Sequence, residues 1–129
     1  MDLAAGMMIS ADNAHAVHPN YAAKADPVNR PVIGSGVVLK FSGAQRYCTD
    51  GYSAALFREI CSKAGCRVQV FTNNSDIPGG STLGIISMSH VSMPAVDIGL
   101  PQLAMHSPYE TAGSRDGEDL VKISKEFFE

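Results

Sequence analysis

Ser53-Ala-Ala-Leu-Phe-Arg-Glu-Ile-Cys-Ser-Lys-Ala-Gly-Cys-Arg-Val-Gln-Val-Phe-Thr72 is the stretch whose reading decides the fold. Ala54, Leu56, Phe57, Ile60, Cys61 and Ala64 fall on one broad face at helical spacing, which predicts a helix over Ser53–Ala64. Gly65 is placed to stop that helix in a left-handed cap. From Cys66 to Thr72 the period changes to two, with Cys66, Val68, Val70 and Thr72 alternating against Arg67, Gln69 and Phe71, a strand pattern. Helix, short turn and strand form the αβ half of a βαβ unit, the connection that parallel strands require. Upstream, Pro31 to Phe41 is β-branched around a Gly-Ser-Gly break and predicts a strand from Gly36 to Ser42. Gly6 to Ser10 reads as a short buried strand, and Ala11 to Arg30 as a long loop broken by Pro19, Pro27 and Asn29. Downstream, the turn-rich Asn73 to Gly84 leads into the apolar run Ile85 to Met88. Ala95 to Gly99 is another short strand, followed by the apolar approach Leu103 to His106. Asp116 to Phe128 reads as a closing helix with Leu120, Ile123 and Phe127 inward, and Glu118 and Asp119 suit its amino-terminal dipole. The class is α/β.

At 129 residues with 45% hydrophobic side chains, the chain has material for one modest core. A net charge of −3 without a run of Lys or Arg gives no electrostatic case for nucleic acid or an anionic membrane. No apolar run approaches the roughly 20 residues of a spanning helix. The opening Met1-Asp-Leu-Ala-Ala-Gly6 lacks the basic start and apolar core of a signal peptide. Cys48, Cys61 and Cys66 are an odd, irregularly spaced set without a Cys-x-x-Cys pair. They argue against a disulfide framework or a structural zinc knot and for a reducing, cytoplasmic setting.

The candidate chemistry gathers in Ser10-Ala-Asp-Asn-Ala-His-Ala-Val-His-Pro-Asn-Tyr21. Asp12, His15 and His18 sit where a strand spills into a loop, and α/β sheets bind ligands at the carboxyl ends of their strands. Pro19 ends any helix there, so a regular helical histidine pair is not expected. Asp12, a carboxylate at a rigid strand end, is the better zinc-ligand candidate. His106, just beyond apolar residues, is a second candidate ligand. Gly80 lets backbone approach a ligand while Ser81 and Thr82 open a helix with free amide donors; the same stretch also reads as a plain surface loop. On residue type alone, Lys40 is a solvated strand-end lysine and Tyr47 a half-buried aromatic. A thiol enzyme using Cys48 with His15 or His18 has no spacing to support it.

Taken together, several pieces resemble the aspartyl aminopeptidase family of two-zinc metallopeptidases. They are the Ser10–Tyr21 stretch, Gly36-Val-Val-Leu-Lys40, Gln45-Arg-Tyr47, Asp76-x-Pro, Gly80-Ser-Thr-x-Gly84 and Val96-Asp-Ile-Gly-x-Pro-Gln-Leu-Ala-Met-His-Ser107. They occur in the family's order and cover nearly the whole chain. The resemblance implies a three-layer α/β sandwich with a mixed, mostly parallel sheet. The implied activity is release of N-terminal Asp or Glu from peptides, in homo-oligomers. By motif position Asp12 looks like a ligand to one zinc and His106 like the imidazole ligand to the other. Lys40 is similar to the lysine that meets the substrate's acidic side chain, and Tyr47 resembles a pocket tyrosine. Asn13 is expected to line the substrate pocket because it neighbours Asp12, Gly80 and Ser81 are taken as substrate-binding, and His15 and His18 look, by the resemblance, like pocket and subunit-contact residues rather than ligands.

The departures from the family pattern are as informative. The family's remaining zinc ligands, its general-base glutamate and an inserted oligomerisation domain precede the segment resembled here. Glu59, Glu110, Glu118, Glu126 and Glu129 are the only glutamates, and none forms the adjacent pair the family uses. The expectation is that residues 1–129 are the C-terminal portion of a catalytic domain, with half an active site, no catalytic base and an incomplete sandwich. Gly79 and Ile85 stand where the family often has cysteine and proline. Two functions follow: part of a zinc aminopeptidase, or a catalytically silent module that acts by assembling with another chain.

Overall fold

Asp50 sets the first helix. Its carboxylate accepts the Ser53 N–H at 2.8 Å while the Ser53 hydroxyl accepts the Asp50 N–H at 3.0 Å, a reciprocal capping box. The helix α1 therefore runs Gly51–Lys63, two residues ahead of the start that periodicity alone suggests. Gly65 takes φ +68, as its capping role requires. In the computed structural model, which describes residues 3–129, the other strands are β1 Met8–Ala11, β2 Ala14–His15, β3 Val37–Phe41, β4 Val68–Thr72, β5 Ala95–Gly99, β6 Pro101–Leu103 and β7 Thr111–Ala112. The remaining helices are α2 Leu83–His90 and α3 Ser114–Phe128.

The main sheet has the order β1-β5-β3-β4. β1 with β5 and β3 with β4 are parallel, while β3 with β5 is antiparallel. The mixed, mostly parallel sheet expected from sequence is thus present. Val37, Leu39, Val96 and Ile98 project from one face into a core with Phe57, Cys61 and Ile123 from α1 and α3. Phe57, Leu39, Ile98 and Ile123 are fully buried, each adding roughly 1.5–3 kcal/mol. The opposite face carries Val38, Phe71 and Ala14, and α2 lies over it, with Gly84 packed against the Asp97 carboxylate.

Several details differ from the expectation. The Ala11–Arg30 segment is not wholly loop: β2 continues the β1 ladder, pairing with β6, and a 3-10 turn covers Ala22–Lys24. β2, β6 and β7 form a second, three-stranded sheet. In α3 the acidic residue of the first turn is Asp116, whose carboxylate accepts the N–H groups of Gly34 at 2.7 Å and Gly36 at 2.9 Å, clamping the entry to β3. Phe127, expected inward, is only half-buried, and Phe128 is 83% exposed, its ring edge-on to Phe127 at 5.0 Å.

Candidate metal and substrate site

The chain from Met8 to Ala16 pairs almost without interruption against Pro94 to Gln102, the break falling at Asp12 and Asn13. Asp12 N–H still donates to the Ile98 carbonyl at 3.0 Å, and Ala14 N–H to Leu100 at 2.9 Å. The break is possible because residue 99 is glycine: a Cβ there would lie 2.0 Å from the Asp12 carbonyl oxygen. Asp12 thereby leaves the ladder with its carboxylate exposed beyond the strand end.

Lys40 comes from the central strand β3 and is only 2% exposed, contrary to the solvated lysine its residue type suggests. Its Nζ donates to the Asn13 carbonyl at 3.0 Å, lies 4.0 Å from Asp12 Oδ2 and sits 5.3 Å from the centre of the Tyr47 ring. Burial lowers its pKa, and the Asp12 and Asp97 carboxylates oppose that shift. Tyr47 is half-buried, packs edge-on against Phe71 at 6.4 Å, and its phenol is raised above its ordinary value by burial first. Asp12, Asn13, Lys40 and Tyr47 are thus brought together.

His106 stands in the turn between β6 and β7 with φ +68, and Ala104 in the same turn has φ +55. A histidine in left-handed backbone is a strained placement of the kind that clusters at ligand sites. The turn is held by the His106 N–H donating to Glu110 Oε1 at 2.6 Å and by Ser107 N–H donating to Ala104 at 3.0 Å. His15, on β2, feels both His106 and Lys40; burial first, then these two groups, hold its imidazole below the usual histidine range. His15 and His18 both line a cavity beside this cluster, and the His18 ring is tilted against Tyr21 at 5.1 Å. Ser81 faces Asp12 across a cleft of about 590 Å³ between β1 and the start of α2. Gly80 is exposed, and a Cβ there would meet open space, so close approach within the chain does not explain it.

Sequence reasoning passed over Asp97. It is fully buried, with Oδ2 accepting the Cys48 N–H at 2.7 Å and Oδ1 without a partner among the described residues. The signal was present: an acidic residue in the middle of the apolar strand Ala95-Val-Asp-Ile-Gly99 has no reason to be there unless it holds something. Asp97 anchors the Tyr47–Cys48 segment below Lys40. Cys48, inert rather than nucleophilic, has its thiol pushed up to about 12 by burial and by Asp97.

Asp12 and His106 fit zinc in donor chemistry: one carboxylate and one imidazole, both exposed, neither side chain in a hydrogen bond among the described residues. They are a partial set, since among the described residues no three His, Cys, Asp or Glu converge as a metal cage. A carboxylate leaving β1, an imidazole in the β6–β7 turn and a buried cation 4.0 Å from that carboxylate are the side-chain types that sites of the metallohydrolase class use. A family model described as Aminopeptidase I zinc metalloprotease (M18) matches residues 1–128, and the chain belongs to that family. The probable M18 family aminopeptidase 2 of Clostridium novyi (strain NT) is 47% identical over 126 residues, covering 98% of this chain and 29% of that protein. The chain thus spans less than a third of that relative's length. Among solved structures, Ape4 in its complex with Nbr1 superposes with TM-score 0.92 at 37% identity over 95% of this chain and 23% of that one. The mApe1 dodecamer of S. cerevesiae superposes with TM-score 0.85 at 30% identity over 97% of this chain and 27% of that one.

Proposed function

We propose that this chain is part of a zinc aminopeptidase that releases N-terminal Asp or Glu from peptides. Asp12 and His106 each contribute one ligand to a different ion of a zinc pair. The observation that carries the specificity is Lys40: a buried cation held by the Asn13 carbonyl at 3.0 Å, with the Asp12 carboxylate only at the 4.0 Å outer limit of an ion pair, is suited to receive an acidic side chain and to disfavour a basic one. The Tyr47 hydroxyl is a donor for the same substrate carboxylate or carbonyl. Asn13, Gly80 and Ser81 line the approach, and His15 and His18 border it. When bound, the zinc pair supplies an activated water and polarises the scissile carbonyl. Family membership supports the zinc chemistry, the dodecamer of mApe1 supports a homo-oligomer, and the three free cysteines support a cytoplasmic setting.

The test is hydrolysis of aspartyl, glutamyl, leucyl and lysyl anilides by the zinc-loaded oligomer. Turnover confined to the acidic pair is expected; equal turnover of the lysyl substrate would overturn the role of Lys40. If His106→Phe left turnover intact, its assignment as a ligand would be wrong.

A second reading is favoured by the partial donor set: residues 1–129 by themselves are silent and act by assembling with another chain. β1 is an edge strand of the main sheet and offers a free pairing edge. A chain that stays monomeric at high concentration and ignores an added N-terminal segment of a relative would contradict it.

A further inference from the structure

Beside the Lys40 cluster lies a cavity of about 260 Å³, roofed by the Ala16–Pro31 segment and floored by the end of β4. It is smaller than the ~300–1,000 Å³ of a site for a drug-sized ligand, so it suits one large side chain and not a whole peptide. Its apolar walls are Tyr21, Pro31, Phe71 and Ile77, with Lys24 and Asn73 at the polar margin.

The cavity is braced open. Ala25 and Asn73 form a β-bridge, Asn74 Nδ2 donates to the Ala23 carbonyl at 3.2 Å, and Asn29 Nδ2 donates to Thr72 Oγ1 at 3.3 Å. Val17 N–H donates to Pro31 O at 2.9 Å, closing the base of the loop. Lys24 Nζ lies 5.1 Å from the Tyr21 ring centre and fixes that wall. A loop tied at three points to Thr72, Asn73 and Asn74, at and just beyond the end of β4, around an apolar hollow is pre-organised for a ligand, which lowers the ordering cost of binding.

Its position relates it to the substrate. Lys40 and Phe71 are register partners on neighbouring strands, so the cavity floor begins on the strand next to the one that carries Lys40, about 4.8 Å away backbone to backbone. Phe71 also packs on Tyr47, whose ring lies under the Lys40 ammonium, and His15 lines the cavity. Consecutive Cα atoms of a peptide are about 3.8 Å apart, so two successive side chains span this offset.

We infer that this cavity is the subsite for the second residue of the peptide and that it selects an aromatic or large apolar side chain there. The inference rests on the proposed reading that Lys40 receives the first, acidic residue.

The experiment uses the ¹⁵N-labelled 129-residue chain titrated with three probes: aspartyl-phenylalanine, aspartyl-glycine and N-acetyl-phenylalanine amide. Aspartyl-phenylalanine is expected to shift the amides of Tyr21, Asn73 and Asn74 together with those of Lys40 and Tyr47. Aspartyl-glycine is expected to shift only the latter pair, and N-acetyl-phenylalanine amide only the former three. Tyr21→Ala, at a position 58% exposed and so tolerant of truncation, should weaken aspartyl-phenylalanine roughly five-fold and leave aspartyl-glycine unchanged. Ile77→Ala, 40% exposed, repeats the test on the opposite wall. If both dipeptides move Lys40 and Tyr47 while the cavity amides stay still, the subsite is overturned and the acidic reading stands. If the cavity responds but Lys40 and Tyr47 do not, the acidic reading fails and takes with it the assignment to the second residue.

Discussion

Gly99→Ala acts on the proposed metal ligand without touching it. The added Cβ would lie 2.0 Å from the Asp12 carbonyl oxygen, and 2.9 Å and 3.0 Å from the carbonyl carbons of Asp12 and Asn13. A tolerable carbon–oxygen contact is about 3.3 Å, so the Asp12–Asn13 backbone must retreat by about 1.3 Å. Residue 99 is fully buried in β5, which also pairs with β3, so the strand cannot yield instead. Overpacking of this kind costs about 1–3 kcal/mol, read as a lower midpoint in urea unfolding. The same displacement carries the Asp12 carboxylate and the Asn13 carbonyl away from Lys40, and zinc affinity measured against a competing chelator should fall about ten-fold. Gly36→Ala is the control. There a Cβ would meet the Arg67 carbonyl oxygen at 2.3 Å, with a backbone φ of +107, at the entry to β3 on its β4 side, two strands from β1. It should destabilise comparably and leave zinc affinity unchanged. Equal zinc affinity in Gly99→Ala and the parent chain would refute the claim that Gly99 positions the ligand turn.

Three further outcomes follow. Asp116→Ala orphans the N–H groups of Gly34 and Gly36 and should cost about 2–4 kcal/mol, with faster hydrogen exchange at those two amides. Cys48 and Cys61 have thiols pushed from 9.0 up to about 12 in the folded chain, so the unfolded chain loses those protons first. Their contribution to stability is complete below pH 9.0 and is lost as pH rises towards about 12, which alkaline unfolding with and without Cys61→Ala would measure. Lys40→Met, which keeps the apolar stem but removes the cation, should raise KM for aspartyl substrates roughly 10–100-fold with a smaller effect on leucyl ones, read from steady-state kinetics of the zinc-loaded oligomer.

What could be read from sequence was what is local. The αβ half from Ser53 to Thr72 announces itself because its periodicity and its Gly65 stop depend on neighbours a few residues away. Asp12 was legible as a carboxylate leaving a strand. The second sheet was not, because β2 and β7 are two residues each and exist only through partners supplied by β6. The burial of Lys40 was hidden for the same reason: a lysine near a strand end looks solvated until the Asn13 turn and Tyr47 are brought over it. Asp116 entered the sequence reading only as the first residue of the closing helix, since its partners Gly34 and Gly36 are 82 and 80 residues away. Asp97 is the instructive omission, a carboxylate in an apolar strand whose oddity was visible before its partner, the Cys48 N–H, was.

The position of bound zinc is the most direct test of Asp12 and His106 as ligands. Crystals of the chain equilibrated with zinc, measured at the zinc absorption edge, locate the metal without relying on turnover. Anomalous density about 2.0–2.2 Å from the Asp12 carboxylate, and a second peak at the same range from a His106 ring nitrogen, is the predicted result. Density on His15, His18 or the cysteines, with none at Asp12 or His106, would contradict it.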